Sequence, residues 1–148
     1  MSQLNFIHDL KVQLALAAAA AGTTSLTTAV IDTQGFESVA FIAQLGDVTD
    51  TSALTLTMQH GDESDGSDMA DLALTATHTA DATDADDKIM MVDAHRPQKR
   101  YVRATLDRAT ANAVLNSIIA VSYNANECPV TQHADVIAST HVNDPQAA

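Results

Sequence analysis

The chain has 148 residues, a formal net charge of −12 and no Trp, with two Tyr and three Phe. This acidity excludes sequence-independent binding of nucleic acid and attraction to anionic lipid, since both need a basic surface. The shortage of aromatic side chains disfavours stacking sites for single strands or sugars. A chain of this length fits one domain with a normal hydrophobic core.

The first 22 residues lack an amphipathic period. The Ala-rich run 15–21 has high helix propensity, yet its small side chains equally suit an extended arm or a first strand, which we favour. The run is too short to span a bilayer. His8 and Asp9 stand before it where a secretory signal would carry positive charge. We therefore expect an N-terminal arm over residues 1–22.

Thr and Val then recur in short alternating runs that are separated by Gly, Asp and Asn, a pattern typical of an antiparallel sandwich. The predicted strands are residues 24–31, 38–45, 53–60, 72–78, 88–92, 100–106 and 118–123. The fold class that follows is all-β, an antiparallel β-sandwich of the jelly-roll or immunoglobulin-like type with about seven to eight strands over residues 23–128.

Two of the predicted strands differ in their apolar pattern. Residues 38–45 are apolar at nearly every position, so we expect cover on both faces, by the second sheet and by a neighbour. Residues 54–58 alternate cleanly, which predicts one face in the core and one in water.

The tail over residues 129–148 is polar, contains Pro129 and Pro145, and has little periodicity. Segments of this composition become ordered when something outside their own domain holds them. We therefore expect extended N- and C-terminal arms that lie on neighbouring subunits of an assembly.

Residues 62–93 hold nine Asp and one Glu against a single basic residue. An EF-hand loop that starts at Asp62 fails, because its fifth and twelfth positions are not acidic. A paired-carboxylate glycosidase site would need an aromatic-lined cleft. We favour a solvated, mutually repelling rim that keeps the exposed surface soluble. An irregular calcium site of Asp62, Asp65 and Asp68 stays open as the alternative.

The remaining chemistry-bearing residues form no catalytic or metal-binding pattern. The six His are scattered without an i, i+4 pair, the single Cys128 has no partner in the chain, and no Gly-rich loop or G-x-S-x-G turn occurs. We expect no enzymatic activity, no metal site and no cofactor.

Four of the seven basic residues lie within eight positions, at Arg96, Lys99, Arg100 and Arg103. On an extended strand Arg100 faces opposite to Arg103, so these charges cannot share one face. Two interpretations stay open: salt bridges to the protein's own Asp-rich loops, or contact with an acidic patch on a partner subunit.

Three segments resemble a family of small tailed-bacteriophage virion proteins whose genes tend to lie near that of the major capsid protein. Residues 28–46 are similar to the family's GFES turn and the apolar strand after it, residues 54–72 to its acidic hairpin, and residues 99–106 to its KRYVR strand. The resemblance spans residues 23–123. Residues 107–112 depart from it, because a Gly-rich turn is expected there.

The resemblance implies a β-sandwich component of the virion, made in the host cytoplasm: a non-enzymatic capsid decoration or cement protein on the capsid exterior. Its partners would be the major capsid protein and copies of itself, as a trimer or dimer, with no nucleic acid and no membrane. A head-tail connector, neck or tail protein is the alternative, and a virion-surface adhesin is a second. On this hypothesis the residues expected at the partner interface are Leu4, Phe6, Ile7, Arg100 and Arg103.

Overall fold

Two antiparallel sheets packed face to face make up the fold. The computed structural model describes residues 5–141, and in them the one helix, α1 (Phe6–Asp9), is a single turn. No helix in this part of the chain is long and apolar enough to cross a bilayer. The strands are β1 (Lys11–Leu16), β2 (Ala19–Gly22), β3 (Leu26–Thr27), β4 (Ile31–Asp32), β5 (Phe36–Val48), β6 (Ala53–Gly61), β7 (Ala70–Thr79), β8 (Ile89–His95), β9 (Tyr101–Ala109) and β10 (Ala113–Ala125). The predicted all-β antiparallel sandwich is confirmed.

The two sheets have similar sizes. Sheet A has the strand order β1, β10, β5, β8, and β2 also pairs with β10 beyond the end of β1. Sheet B has the order β3, β9, β6, β7, and β4 also pairs with β9. Successive strands from β7 to β10 alternate between the sheets, so the connections between them tie the two layers together.

Inward side chains of both sheets form one core. Phe41 on β5, Leu56 on β6, Leu106 on β9 and Ile118 on β10 are fully buried. Burial alternates along these strands, as the two-residue period requires. Burying one side chain of this size contributes about 1.5–3 kcal/mol. The alternation predicted for residues 54–58 is confirmed.

β5 is covered on its inward face by sheet B. Its inward residues Phe41 and Ala43 are fully buried, whereas Ile42, which points outward between them, is half-buried. The apolar run also predicts that a neighbour packs against the outward face of β5. Residues 5–141 of this chain do not bury that face completely.

The strand predicted over residues 24–31 is divided into β3 and β4. The Thr28 amide donates a hydrogen bond to the Ala104 carbonyl, but the Ala104 amide donates to the Thr28 hydroxyl and not to a backbone carbonyl. The same hydroxyl donates to the Ala29 carbonyl. The Ala29 amide then donates to the Ala15 carbonyl of sheet A. The chain thus leaves sheet B between the two short strands.

The N-terminal segment is part of sheet A. β1 and β2 both pair with β10, so residues 11–22 are strands of the sandwich and not an arm that reaches a neighbour. Backbone pairing satisfies their amides and carbonyls without any amphipathic pattern, which explains why the Ala-rich sequence gave no periodic signal.

The described part of the C-terminal segment, residues 129–141, follows the free edge of β1. The Gln132 side chain accepts a hydrogen bond from the Val12 amide at 2.9 Å. The Asp135 carboxylate accepts one from the Leu14 amide at 3.1 Å. This segment therefore contacts its own subunit, although its composition predicts that a neighbour holds it.

A buried arginine joins the two sheets. Arg108 of β9 is 4% exposed, and its guanidinium donates hydrogen bonds to the carbonyls of Ala20 on β2, Ala113 on β10 and Thr24 between the sheets, at 2.7–2.9 Å. A Cβ atom on Gly22 would lie 3.1 Å from this guanidinium, so the glycine leaves room for it. Arg108 thus fixes the edge of sheet A to sheet B.

Candidate interaction surface

Outward side chains of sheet A form an apolar row across four strands. Leu14 of β1, Ile119 of β10, Ile42 of β5 and Met91 of β8 are direct cross-strand partners. The Cβ atoms of such partners lie about 5 Å apart, close enough for their side chains to interact. The row is therefore a continuous apolar band on the outside of the sandwich.

Neighbouring rows widen this band before polar residues replace it. Val12, Val121 and Ala40 are directly paired in the next row, which ends at Asp93 on β8. An apolar centre with a polar rim is the usual anatomy of a protein interface. The apolar face, as we name it, consists of Val12, Leu14, Ala40, Ile42, Ile89, Met91, Ile119 and Val121.

Exposed large hydrophobic residues gather on this side of the molecule. Leu14, Ile89 and Met91 are 44%, 59% and 62% exposed, and all three belong to the apolar face. The other two among residues 5–141 are Phe6 and Ile137, in the terminal segments next to β1. A contiguous exposed apolar surface of this kind marks a site of interaction.

Sheet B presents the opposite chemistry on its outer side. Directly paired threonines cross β3, β9, β6 and β7 in one row: Thr27, Thr105, Thr57 and Thr75. Thr55 and Thr77 pair in the adjacent row. These six residues form the threonine face, which has the hydroxyl groups expected of a surface in water.

Two predicted anchor residues border the apolar face. Phe6 and Ile7 of α1 line a cleft of about 320 Å³ with Val12 of β1 and Val136 of the C-terminal segment. Because Val12 also belongs to the apolar face, this cleft continues the face beyond β1. Leu4 lies outside the described residues. The partner contacts of all three anchors stay predictions.

Arg100 is engaged by its own chain at the end of sheet B. Its guanidinium donates to both carboxylate oxygens of Asp32 on β4 at 2.8 Å, and also to the Gln34 side chain. These hydrogen bonds and the arginine charge hold the pKa of the Asp32 carboxyl below its ordinary value of 3.8. The same contact raises the pKa of Arg100.

Other basic residues of this stretch are also held within the chain. Ion pairs join Lys99 to Asp62 at 2.6 Å and Arg96 to Glu37 at 3.6 Å. Arg103 lies on the outer side of sheet B, away from the apolar face, and donates to a glutamine of β6 at 2.7 Å. Lys99 pairs with the Asp-rich segment 62–93, as the first of the two interpretations expects, whereas Arg100 and Arg96 pair with Asp32 and Glu37, which lie outside that segment. Contact of Arg100 and Arg103 with a partner stays a prediction.

A serine–histidine contact at the polar end of the apolar face was not predicted. Ser38 Oγ and His95 Nδ1, which cross-strand register brings together, share a hydrogen bond of 2.6 Å. Beside them the Tyr123 hydroxyl donates to Asp93, and burial, followed by this bond, raises the pKa of Tyr123. Because Ser38 has no exposed surface, the pair links two strand ends and presents no nucleophile to solvent.

The acidic loop between β6 and β7 is bonded to itself. The Asp68 carboxylate accepts hydrogen bonds from the amides of Asp62 and Glu63, and Asp65 accepts one from the Ser67 amide. These bonds lower the pKa of Asp68 and of Asp65. Within residues 5–141, no three His, Cys, Asp or Glu side chains are grouped to hold a metal ion.

Sequence reasoning identified only the β5 part of the apolar face, because the apolar run 38–45 predicts cover on both of its faces. A signal was present in the runs 89–92 and 118–121, where consecutive residues are all apolar. A strand with one face in water alternates, as residues 54–58 do. The absence of alternation indicates that the outward residues also avoid water.

Comparisons with known proteins add a limited likeness of fold. No protein-family model and no curated protein matches the chain. A solved chain from work on Bacillus endospore appendages, described as a novel family of disulfide-linked pili, is 11% identical with a TM-score of 0.45, over 85% of this chain and 97% of that one. Eiger TNF from S. frugiperda is 12% identical with a TM-score of 0.38, over 84% and 99%. At these TM-scores neither likeness carries a functional assignment.

Proposed function

We propose that the protein is a non-enzymatic structural component of a tailed-phage virion: a capsid decoration, or cement, protein that binds the outer capsid surface and stabilises the shell. The observation that carries the proposal is the apolar face. An exposed apolar band four strands wide, on a protein of net charge −12, is a surface that another subunit covers. The phage assignment comes from the resemblance of residues 28–46, 54–72 and 99–106.

Stabilisation of the shell follows from mass action. A protein that binds the mature shell, and not its ruptured form, adds stability to the bound state by RT ln(1 + [L]/Kd). A unit that contacts two capsid subunits at once gains further from effective concentration. The resemblance makes the major capsid protein the partner on the shell, and the bound shell then resists the internal pressure of the packaged DNA.

Charge supports an outward position on the particle. The acidic residues repel DNA, so a position inside the DNA-filled shell would be electrostatically unfavourable. The threonine face and the acidic loop are polar, and they suit a surface that meets water and must not aggregate.

Cryo-electron microscopy of the intact particle tests the proposal directly. We expect density for the sandwich on the capsid exterior, repeated at local symmetry positions of the shell. Density confined to the portal axis or the tail would contradict this placement and favour the neck or connector alternative. Absence from the particle would overturn the virion assignment altogether.

Stability of the shell gives a second test. Particles that lack the protein should release their DNA at a lower temperature than complete particles, and addition of the purified protein should restore the difference. If the release temperature is unchanged while the protein is present on the exterior, the cement role fails. Specific binding to host cells or saccharides would then favour the adhesin alternative.

A further inference from the structure

We infer that a second copy of this chain covers the apolar face, in a symmetric dimer that packs sheet A against sheet A. This inference rests on the proposed structural role, since it names the partner of the same surface. The dimer is then the unit that the capsid receives.

Symmetry allows the apolar row to pack on itself. In a two-fold dimer each subunit contributes the same surface, so a contact must be complementary to its own copy. Ile42 and Ile119 form the middle pair of the row, with Leu14 and Met91 at its ends. A two-fold axis in the contact plane that crosses the middle pair places apolar residues against apolar residues along the whole row. Two sheets that pack in this way lie about 10 Å apart.

Charge favours a second copy over a foreign partner. Two copies that each carry −12 repel one another wherever both present carboxylates. The apolar face avoids this, because Asp93 is the one acidic residue in its cross-strand rows, and Tyr123 donates a hydrogen bond to it. A basic foreign partner would be recognised by carboxylates, which this protein has in excess elsewhere. An uncharged face on so acidic a chain fits a partner of the same charge.

The area is sufficient for a stable dimer. β5 and β10 are each 13 residues long, so sheet A extends about 43 Å along its strands. Its four main strands span about 19 Å across. Because β1 and β8 have only 6 and 7 residues, the outward surface is about 600 Å², which is the lower limit of what each partner buries in an interface of standard size. The cleft beside Phe6 and Ile7 adds to this area at the β1 edge.

Sedimentation velocity on the purified full chain tests the inference. We expect a mass of twice 15.6 kDa for the wild type. Ile42→Glu, at the centre of the apolar face, and Met91→Glu, at its exposed edge, should each reduce the mass to that of one chain. Thr57→Glu is the matched control: it adds the same charge at the centre of the threonine face and should leave the dimer intact. Circular dichroism establishes that each variant keeps its strands.

The outcomes separate this inference from the proposed function. A wild-type monomer at concentrations up to about 100 μM would overturn the dimer, since interfaces of this size usually bind far more tightly. A trimer, or a dimer that survives both Ile42→Glu and Met91→Glu, would also overturn it. A monomer found on the capsid exterior would leave the proposed function standing, with the capsid protein as the cover. A dimer that is absent from the particle would leave the inference standing and overturn the proposed function.

Discussion

The apolar face and the threonine face are built on the same framework. Each has a row of four outward side chains in direct cross-strand register, on four strands of one sheet. The rows differ in what the side chains carry at the surface, which is methyl groups on sheet A and hydroxyl groups on sheet B. Both sheets bury their opposite faces in the same core.

The threonine face shows that this fold does not need apolar residues on its outside. Thr, Val and Ile are all branched at Cβ and all favour strands, so they serve the backbone about equally well. Sheet B forms a regular sheet with Thr at the outward positions. The fold of the single chain therefore does not require the methyl groups on the outside of sheet A, and the dimer that we propose gives them a role.

Two neighbouring residues of β10 give the largest expected difference between the core and the apolar face. Ile118 points into the core and has no exposed surface, whereas Ile119 belongs to the apolar face. Ile118→Thr should lower the free energy of unfolding by about 3 kcal/mol, because it leaves a cavity and buries a hydroxyl. Ile119→Thr should lower the free energy of unfolding by less than about 1 kcal/mol. Chemical denaturation in the monomeric Met91→Glu background measures both, and equal losses would mean that the apolar face serves folding alone.

Arg108 tests whether both faces depend on one connection between the sheets. Arg108→Met keeps the aliphatic part of the side chain but removes the donors to three carbonyls. The free energy of unfolding should fall by about 2 kcal/mol, since a buried hydrogen bond to a charged group is worth more than a neutral one. Arg96→Ala, at an arginine whose side chain is 70% exposed, is the control and should change the free energy of unfolding by less than about 0.5 kcal/mol. Similar values for the two variants would refute the role of Arg108 as a link.

The ion pair of Asp32 should contribute less to the free energy of unfolding than the packing of Ile118 or the hydrogen bonds of Arg108. Its pKa is lower in the folded chain than the ordinary 3.8, so the ionised form adds stability above that pH, which is lost as the pH falls through the folded pKa. At pH 7 the wild type should melt no more than about 2 °C above Asp32→Asn, because the pair is largely exposed and screened by solvent. The difference should shrink as the pH falls below 3.8 and through the folded pKa of Asp32. Asp47→Asn, which removes one carboxylate from an exposed position outside this ion pair, is the control for the change in net charge.

The smallest effect concerns the edge of the apolar face. Gln132→Ala removes the acceptor of the Val12 amide and should speed hydrogen exchange of that amide about tenfold. The free energy of global unfolding should stay within about 0.5 kcal/mol of the wild type. Thr131→Ala, at the adjacent position, should leave the exchange of Val12 unchanged. If Gln132→Ala has no effect on Val12, the C-terminal segment does not protect this edge in solution.

Much of the fold could be predicted from the sequence, because strands and turns leave local patterns of apolar and turn-forming residues. Alternation at residues 54–58 and the spacing of the turn residues predicted six long strands near their observed positions. The strands in residues 11–22 were harder to predict, since an Ala-rich segment can pair in a sheet although its sequence shows no alternation of apolar and polar residues. The division of strand 24–31 depends on a hydrogen bond from the distant Ala104 amide to Thr28, which no local pattern shows.

The candidate surface was harder to predict, because it too depends on contacts between segments that are distant in the sequence. Ile118 and Ile119 are identical side chains in adjacent positions, and only tertiary pairing decides which one faces out. In the sequence Arg108 cannot be distinguished from the other basic residues of its strand. The three carbonyls that accept its hydrogen bonds come from distant segments of the chain or from the next strand. For Arg100 the sequence left a salt bridge and a partner contact open, and the salt bridge that the structure contains is to Asp32, outside the Asp-rich segment.

The C-terminal segment has a consequence for how large an assembly of this protein can grow. The amides of Val12 and Leu14 on β1 would otherwise be a template on which further chains could add without limit, as they do in a fibril. Side chains of Gln132 and Asp135 occupy these donors without supplying a new strand, so elongation in the plane of the sheet ends there. In the dimer that we propose, copies that meet at the broad side of sheet A instead reach a closed, finite particle after a single addition.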